Sequence, residues 1–227
     1  MAQWTMKQIA NACDYALNSA TLTKNEISSV CKDVIQYGAK AICVTSGWVK
    51  FTVEQLKDSN VLTSSYIGFP LGSIHPKIKI AEAKIAVENG AQEIDVVISI
   101  GRMKERDYAY IQDELDSLRQ AISIPIKVII ESVYLDDDDK IKICEIVKKS
   151  NIDCISTSTG YASGGATISD VSLIRQCLGN KIGVKATGYI STLNDLTTML
   201  EAGANRVETS SFYKIMHEAE LAKLPIE

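Results

Sequence analysis

Histidine is scarce and paired cysteine is missing. Only His75 and His217 occur, neither with ligand spacing. The six cysteines (13, 31, 43, 144, 154, 177) form no C-x-x-C pair. A structural zinc site is therefore not expected, and no metal is assigned. Most cysteines sit in apolar stretches such as Ile42-Cys43-Val44, which reads as buried, reduced thiols. No apolar run approaches the ~20 residues of a membrane span, so no membrane partner is expected. Met1 to Ala10 carries one lysine and no long apolar core, unlike a signal peptide. Cytoplasm is the default location. An excess of basic residues is also lacking: the formal charge is −4, which argues against nucleic acid as a partner. No G-x-G-x-x-G follows the first strand, which weakens a dinucleotide-binding fold. No Pro/Gly/Ser linker divides the chain, so residues 1–227 read as one domain.

What is present is a loose repeat. A helical pattern ends in a small-residue pair and runs at once into a short apolar strand. It appears at Tyr37-Gly38-Ala39, Asn89-Gly90-Ala91 and Ala202-Gly203-Ala204. Each glycine can close a helix in the left-handed conformation. Further β-branched runs cover 61–67, 125–131, 152–157 and 181–186, and a weak first strand is expected at 9–15. Helical periodicity covers about 24–37, 50–58, 76–90, 105–121, 137–149, 168–178, 192–202 and 211–223. Thr23, Thr192 and Asp136 suit helix N-caps. The run Asp136 to Asp139 reads as a solvated helix start. Some eight strands alternating with eight helices predict an α/β protein, a single closed (β/α)8 barrel.

In such barrels chemistry gathers at the C-terminal ends of the strands. Polar residues expected there are Asp14, Thr45, Gly68, Asp95, Glu131, Ser156, Thr157, Ser158, Thr159, Lys185 to Gly188, and Thr209 to Ser211. Asp95, Glu131 and Lys185 interrupt apolar strands, and a charge there is costly unless paired or wet. Lys185 is the leading catalytic candidate. Desolvated near other cations it would be nucleophilic; beside a carboxylate it would stay charged and act as an electrostatic clamp. Asp95 is either that carboxylate or a proton relay.

Five segments resemble the deoxyribose-phosphate aldolase family over nearly the whole chain. They are Ile67-Gly68-Phe69-Pro70-Leu71-Gly72, Gly90 to Ile98, Lys127 to Ser132, Ser158-Thr159-Gly160 with Gly164 to Thr167, and Gly183-Val184-Lys185-Ala186. The resemblance implies reversible cleavage of 2-deoxyribose 5-phosphate to acetaldehyde and glyceraldehyde 3-phosphate, through an imine and without metal or cofactor. It places the family's second active-site lysine at Lys185, its relay aspartate at Asp95 and its early-strand pocket aspartate at Asp14. It places the imine-forming lysine at Ser156, which cannot form an imine.

Other departures follow from the same resemblance. Tyr15 and Ala16 replace a histidine and a threonine. Gly188-Tyr189 replaces a Gly-Gly pair beside the phosphate. Glu208 replaces a glycine and opposes a phosphate if it points into the pocket, while Ser210 and Ser211 still suit an anion. The terminal tyrosine tail of many members is also lacking.

Three readings follow. The first is an enzyme of shifted chemistry, in which Lys185, Asp95 and Ser156 act on a small carbonyl or enolisable substrate by acid–base catalysis. That substrate would be held by Asp14, Glu131, Thr157, Thr159, Gly160, Gly188, Tyr189, Glu208, Ser210 and Ser211. The second is a carbon–carbon lyase with Lys185 as relocated imine former. The third is an inactive binding homologue. An open polar cavity reached by Lys185 and Asp95 would favour an enzyme; a blocked mouth would favour a scaffold. A homodimer is the default expectation for assembly.

Overall fold

The computed structural model describes residues 4–227. Residues 1–3, which begin both the expected domain and the N-terminal segment considered above, lie outside the described residues. The chain runs α1 (Met6–Asn11), β1 (Cys13–Leu17), α2 (Lys24–Tyr37), β2 (Ala41–Thr45), α3 (Val49–Leu56), β3 (Leu62–Ile67) and α4 (Pro76–Glu88). It continues through β4 (Glu93–Val97), α5 (Ile100–Lys104), α6 (Tyr108–Ala121), β5 (Ile126–Ile129), α7 (Asp137–Lys149) and β6 (Cys154–Ser156). It ends with α8 (Ile168–Leu178), β7 (Gly183–Thr187), α9 (Leu193–Glu201), β8 (Arg206–Thr209) and α10 (Phe212–Leu221). The strands pair in parallel in sequence order, and β8 closes on β1.

Local chemistry explains the boundaries. Thr23 and Glu26 form a capping box that opens α2, and Thr192 with Asp195 does the same for α9. Asp136 accepts from the Asp139 N–H, so the acidic run is a helix start as expected. Gly38, Gly90 and Gly203 all have positive φ where helices turn back into strands. Two expectations change. Residues 9–11 are helical rather than extended, because Thr5 and Gln8 form a capping box that starts α1; β1 begins at Cys13. The expected helix at 105–121 starts only at Tyr108, after left-handed Arg106 and the cap Asp107, and α5 precedes it separately.

Alternation along the strands divides the side chains between two environments. Ile42, Val44, Ile94, Val96, Val128, Ile155, Val184 and Val207 are fully or almost fully buried in the core between strands and helices. Each such burial contributes about 1.5–3 kcal/mol. The opposite faces point into the barrel. There a small apolar cluster of Cys43, Tyr66, Val97 and Ile129, topped by Phe69, meets a network of charges.

Candidate active site

Residues two apart on a strand share a face, so Glu93 and Asp95 on β4 both enter the barrel, as do Arg206 and Glu208 on β8. Asp14 on β1, Lys127 on β5 and Lys185 on β7 join them. Arg206 Nε donates to Asp14 Oδ1 at 2.9 Å, and Arg206 Nη1 donates to Glu93 Oε1 at 2.7 Å. Lys127 Nζ lies 2.7 Å from Glu93 Oε2 and 3.1 Å from Asp95 Oδ2. Lys185 Nζ donates to both Asp95 and Glu208 and sits 3.5 Å from Asp14 Oδ2. Ser64 Oγ donates to Asp95 Oδ2 at 2.6 Å, and Tyr66 OH donates to Glu208 Oε1 at 2.8 Å. Four carboxylates thus enclose three cations, leaving a formal charge of −1. Buried ions are tolerated only when paired and hydrogen-bonded in this way.

The pairing sets the ionisation. Burial alone would depress the Lys185 ammonium, but Asp95 and then Glu208 outweigh it and hold its pKa well above the ordinary lysine value. Burial alone would raise Asp95, but Lys127 and Lys185 hold its carboxyl well below the ordinary range. Glu93 is likewise pushed up by burial yet held at about 2 by Lys127 and Arg206. Lys185 is therefore favoured as an ammonium, with Asp95 the carboxylate beside it.

Above this network a cleft of about 360 Å³ opens at the C-terminal ends of β1, β6, β7 and β8. Its walls are Thr159–Tyr161, Thr187–Ser191 and Glu208–Ser211, with Ala16 and Asn18. Glu208 is the one charged residue among these lining groups. The Tyr161 hydroxyl donates to the Asn18 carbonyl at 2.9 Å and the Tyr189 hydroxyl to the Ala162 carbonyl at 3.0 Å. Both rings stay exposed along the rim. Phe69 stacks on Tyr66 with centroids 4.4 Å apart and meets Tyr161 edge-on at 5.4 Å, an aromatic wall running from the barrel interior to the rim.

The structure gathers only part of the expected site in this cleft. Thr159, Gly160, Gly188, Tyr189, Glu208, Ser210 and Ser211 line it. Glu208 points inward, as one of the two expected orientations required, and its carboxylate is bonded by Tyr66 and Lys185. Lys185, Asp95, Asp14 and Ser156 do not line it; each is fully buried. Ser156 Oγ lies 3.0 Å from the Thr187 hydroxyl and pairs in register with Lys185. Thr157 is also outside the cleft, because its hydroxyl is bound to the backbone N–H and carbonyl of Thr187. Glu131 is not beside Lys185. It follows β5 with φ of +50°, accepts from the Thr159 N–H at 3.2 Å, and lines an adjoining hollow of about 210 Å³ with Leu71, Ile100 and Tyr134, which shares Thr159 and Tyr161 with the cleft. The cleft is open and polar, but the Lys185–Asp95 pair lies one layer beneath it. Sequence reasoning did not place Glu93, Lys127, Arg206 and Tyr66 in the network. The signal was present in the two-residue spacings Glu93/Asp95 and Arg206/Glu208.

The closed barrel, with charges facing inward and a polar cleft at the strand C-termini, defines the chain as a (β/α)8 barrel. Comparison with known proteins agrees. No family model matches the chain. The deoxyribose-phosphate aldolase of Lysinibacillus sphaericus is 41% identical over 213 residues, covering 93% of this chain and 96% of that one. That of Thermococcus kodakarensis is 41% identical over 218 residues, covering 94% and 97%. Among solved structures, an aldolase called QR15 superposes with a TM-score of 0.91 at 34% identity, covering 96% of this chain and 99% of that one. A tetrameric deoxyribose phosphate aldolase from Aeropyrum pernix gives 0.86 at 25% identity, covering 95% and 92%. The chain belongs to the deoxyribose-phosphate aldolase family. Among the described residues, no helix is long and apolar enough to cross a membrane.

Proposed function

We propose that this chain is an aldolase-family enzyme that processes a small carbonyl or enolisable compound by proton transfer, without a lysine imine. The observation that carries the reading is the state of Lys185. Its amine is fully buried and bound by Asp95 and Glu208, so its lone pair is held as an N–H bond. An imine needs a free amine that reaches a carbonyl. Ser156, where the family resemblance places the imine lysine, offers only a hydroxyl.

The reacting group is then Glu208, which reaches both the network and the cleft. Its carboxylate takes the proton α to the substrate carbonyl and returns it to the product-forming carbon. Tyr66 and Lys185, each donating to one carboxylate oxygen, fix the orientation of Glu208. Lys185 and Asp95 are positioning residues in this scheme, one layer removed from the substrate.

The test is twofold. Incubation with acetaldehyde or D-glyceraldehyde and borohydride, followed by peptide mass spectrometry, should leave Lys185 unmodified. Solvent deuterium should enter the α position of an accepted carbonyl compound, and Glu208→Gln should slow that exchange by about 10²–10⁴-fold. A borohydride-stable adduct on Lys185 would overturn the reading. It would favour the second one, a 2-deoxyribose-5-phosphate lyase with Lys185 as imine former. That alternative is supported by about 40% identity to named aldolases over nearly the full chain and by the direct pairing of Lys185 with Ser156.

A further inference from the structure

We infer that the hollow adjoining the cleft is a binding site for the primary ammonium group of a small aliphatic amine, with the Glu131 carboxylate as its counter-ion. The inference does not depend on the chemistry proposed for the cleft.

Three observations carry it. First, Glu131 is a buried acid without a counter-ion. Every other buried carboxylate among the described residues faces a cation. Asp14, Glu93, Asp95 and Glu208 share Lys127, Lys185 and Arg206. Glu114 lies 2.7 Å from Lys79, Asp170 lies 2.7 Å from Lys140, and Asp139 lies 3.6 Å from Arg106. Glu131 is 2% exposed and is met only by the N–H and the hydroxyl of Thr159. Burial pushes its carboxyl above the ordinary value, the Thr159 bonds pull the other way, and no neighbouring charge contributes. A carboxylate has about four lone-pair sites, so acceptor capacity remains for a further donor. A glutamine oxygen could accept from Thr159 as well, so the charge at this position answers no partner within the chain. Second, the acid borders open space, the hollow of about 210 Å³. Its backbone is held there in the left-handed region, at φ of +50°, a conformation costly for a residue with a side chain. Third, the walls suit an alkylammonium ion. Leu71 and Ile100 offer apolar surface to its methylenes, and Tyr134 and Tyr161 bring aromatic rings that attract a cation. No lysine or arginine is among the described lining residues, and Lys104, which donates to the Tyr134 carbonyl at 2.7 Å, does not line the hollow. An ammonium entering here supplies the missing charge and up to three N–H donors, a charge-assisted pairing in a partly dry site.

The experiment is an NMR titration of the isotope-labelled full chain with n-butylammonium, 1-butanol and butyrate. We expect n-butylammonium to shift the amides of Thr159, Tyr161 and Tyr134, and 1-butanol to bind at least about tenfold more weakly. Butyrate should leave these amides in place. Glu131→Gln keeps an acceptor for Thr159 and should erase the tenfold preference. Leu71→Lys guards against a misfolded Glu131 variant, because Leu71 is 71% exposed at the mouth of the hollow. It brings a competing cation and should weaken n-butylammonium by about threefold or more while leaving 1-butanol unchanged. Equal binding of the alcohol and the amine by the unaltered chain would overturn the inference. So would a lack of response to the amine, a response to butyrate, a folded Glu131→Gln chain that keeps the preference, or a Leu71→Lys chain with unchanged affinity for the amine. Because binding is read without turnover, an imine at Lys185 would remove the proposed chemistry and leave this site standing.

Discussion

At the scale of single residues, the centre of the molecule is a lysine held by acids. Lys185→Met removes the ammonium and strands Asp95 and Glu208 in a buried site. We expect a loss of about 3–5 kcal/mol in denaturant unfolding. Tyr66→Phe deletes the donor to Glu208 Oε1 and should cost about 1–3 kcal/mol. Much of this was legible in the chain: Lys185 and Asp95 stand out as charges in apolar strands, and the structure joins them. What could not be read was depth. Sequence spacing tells which face of a strand a residue occupies, but not whether the layer above it is open. Tyr66, Thr187 and Glu208 overlie Lys185 from three different strands, and that roof exists only once the barrel closes. Thr157 misled for a related reason, since a polar residue at a strand end can serve the neighbouring backbone instead of a ligand.

At the scale of elements, helix starts were the most readable feature. Thr23, Thr192 and Asp136 act through side-chain bonds to the third residue onward, a local chemistry that needs no tertiary context. Thr23→Ala should cost about 1 kcal/mol in thermal or denaturant unfolding. The first strand starts later than expected because Thr5 and Gln8 compete with it locally, and α1 wins residues 9–11 while β1 holds Cys13–Leu17. Loop-to-loop contacts were invisible beforehand. The loop after β6 presses Gly165 onto the loop after β7, where an added Cβ would meet the Gly188 carbonyl oxygen at 2.4 Å. Gly165→Ala should therefore displace Gly188 and Tyr189 and destabilise the chain by about 1–3 kcal/mol, visible as a lowered melting temperature.

At the scale of the whole molecule, the charged network ties together β1, β4, β5, β7 and β8 from inside. Its acid response follows from Glu93. That carboxyl is held at about 2 in the folded chain against an ordinary 4.5, so the unfolded chain binds more protons as pH falls. The stabilisation, about 3 kcal/mol, is complete above roughly pH 5 and is lost as pH drops through about 2. Denaturant midpoints measured between pH 6 and pH 2 should show this decline, and Glu93→Gln should flatten it. The barrel itself was predictable because the alternation of short apolar strands and amphipathic helices repeats eight times. Its interior was not, because charges facing one another across a closed sheet lie far apart along the chain.

The register match of Ser156 with Lys185 has an engineering consequence. A lysine installed at Ser156 would enter a chamber one cation short of neutrality. Its new ammonium would be claimed by the carboxylate that overhangs it, leaving a quiet, better-balanced interior with no reactive nitrogen. Covalent aldol chemistry would then demand two edits together, Ser156→Lys with Glu208→Gly, and the second edit alone decides whether the first is mute or awake.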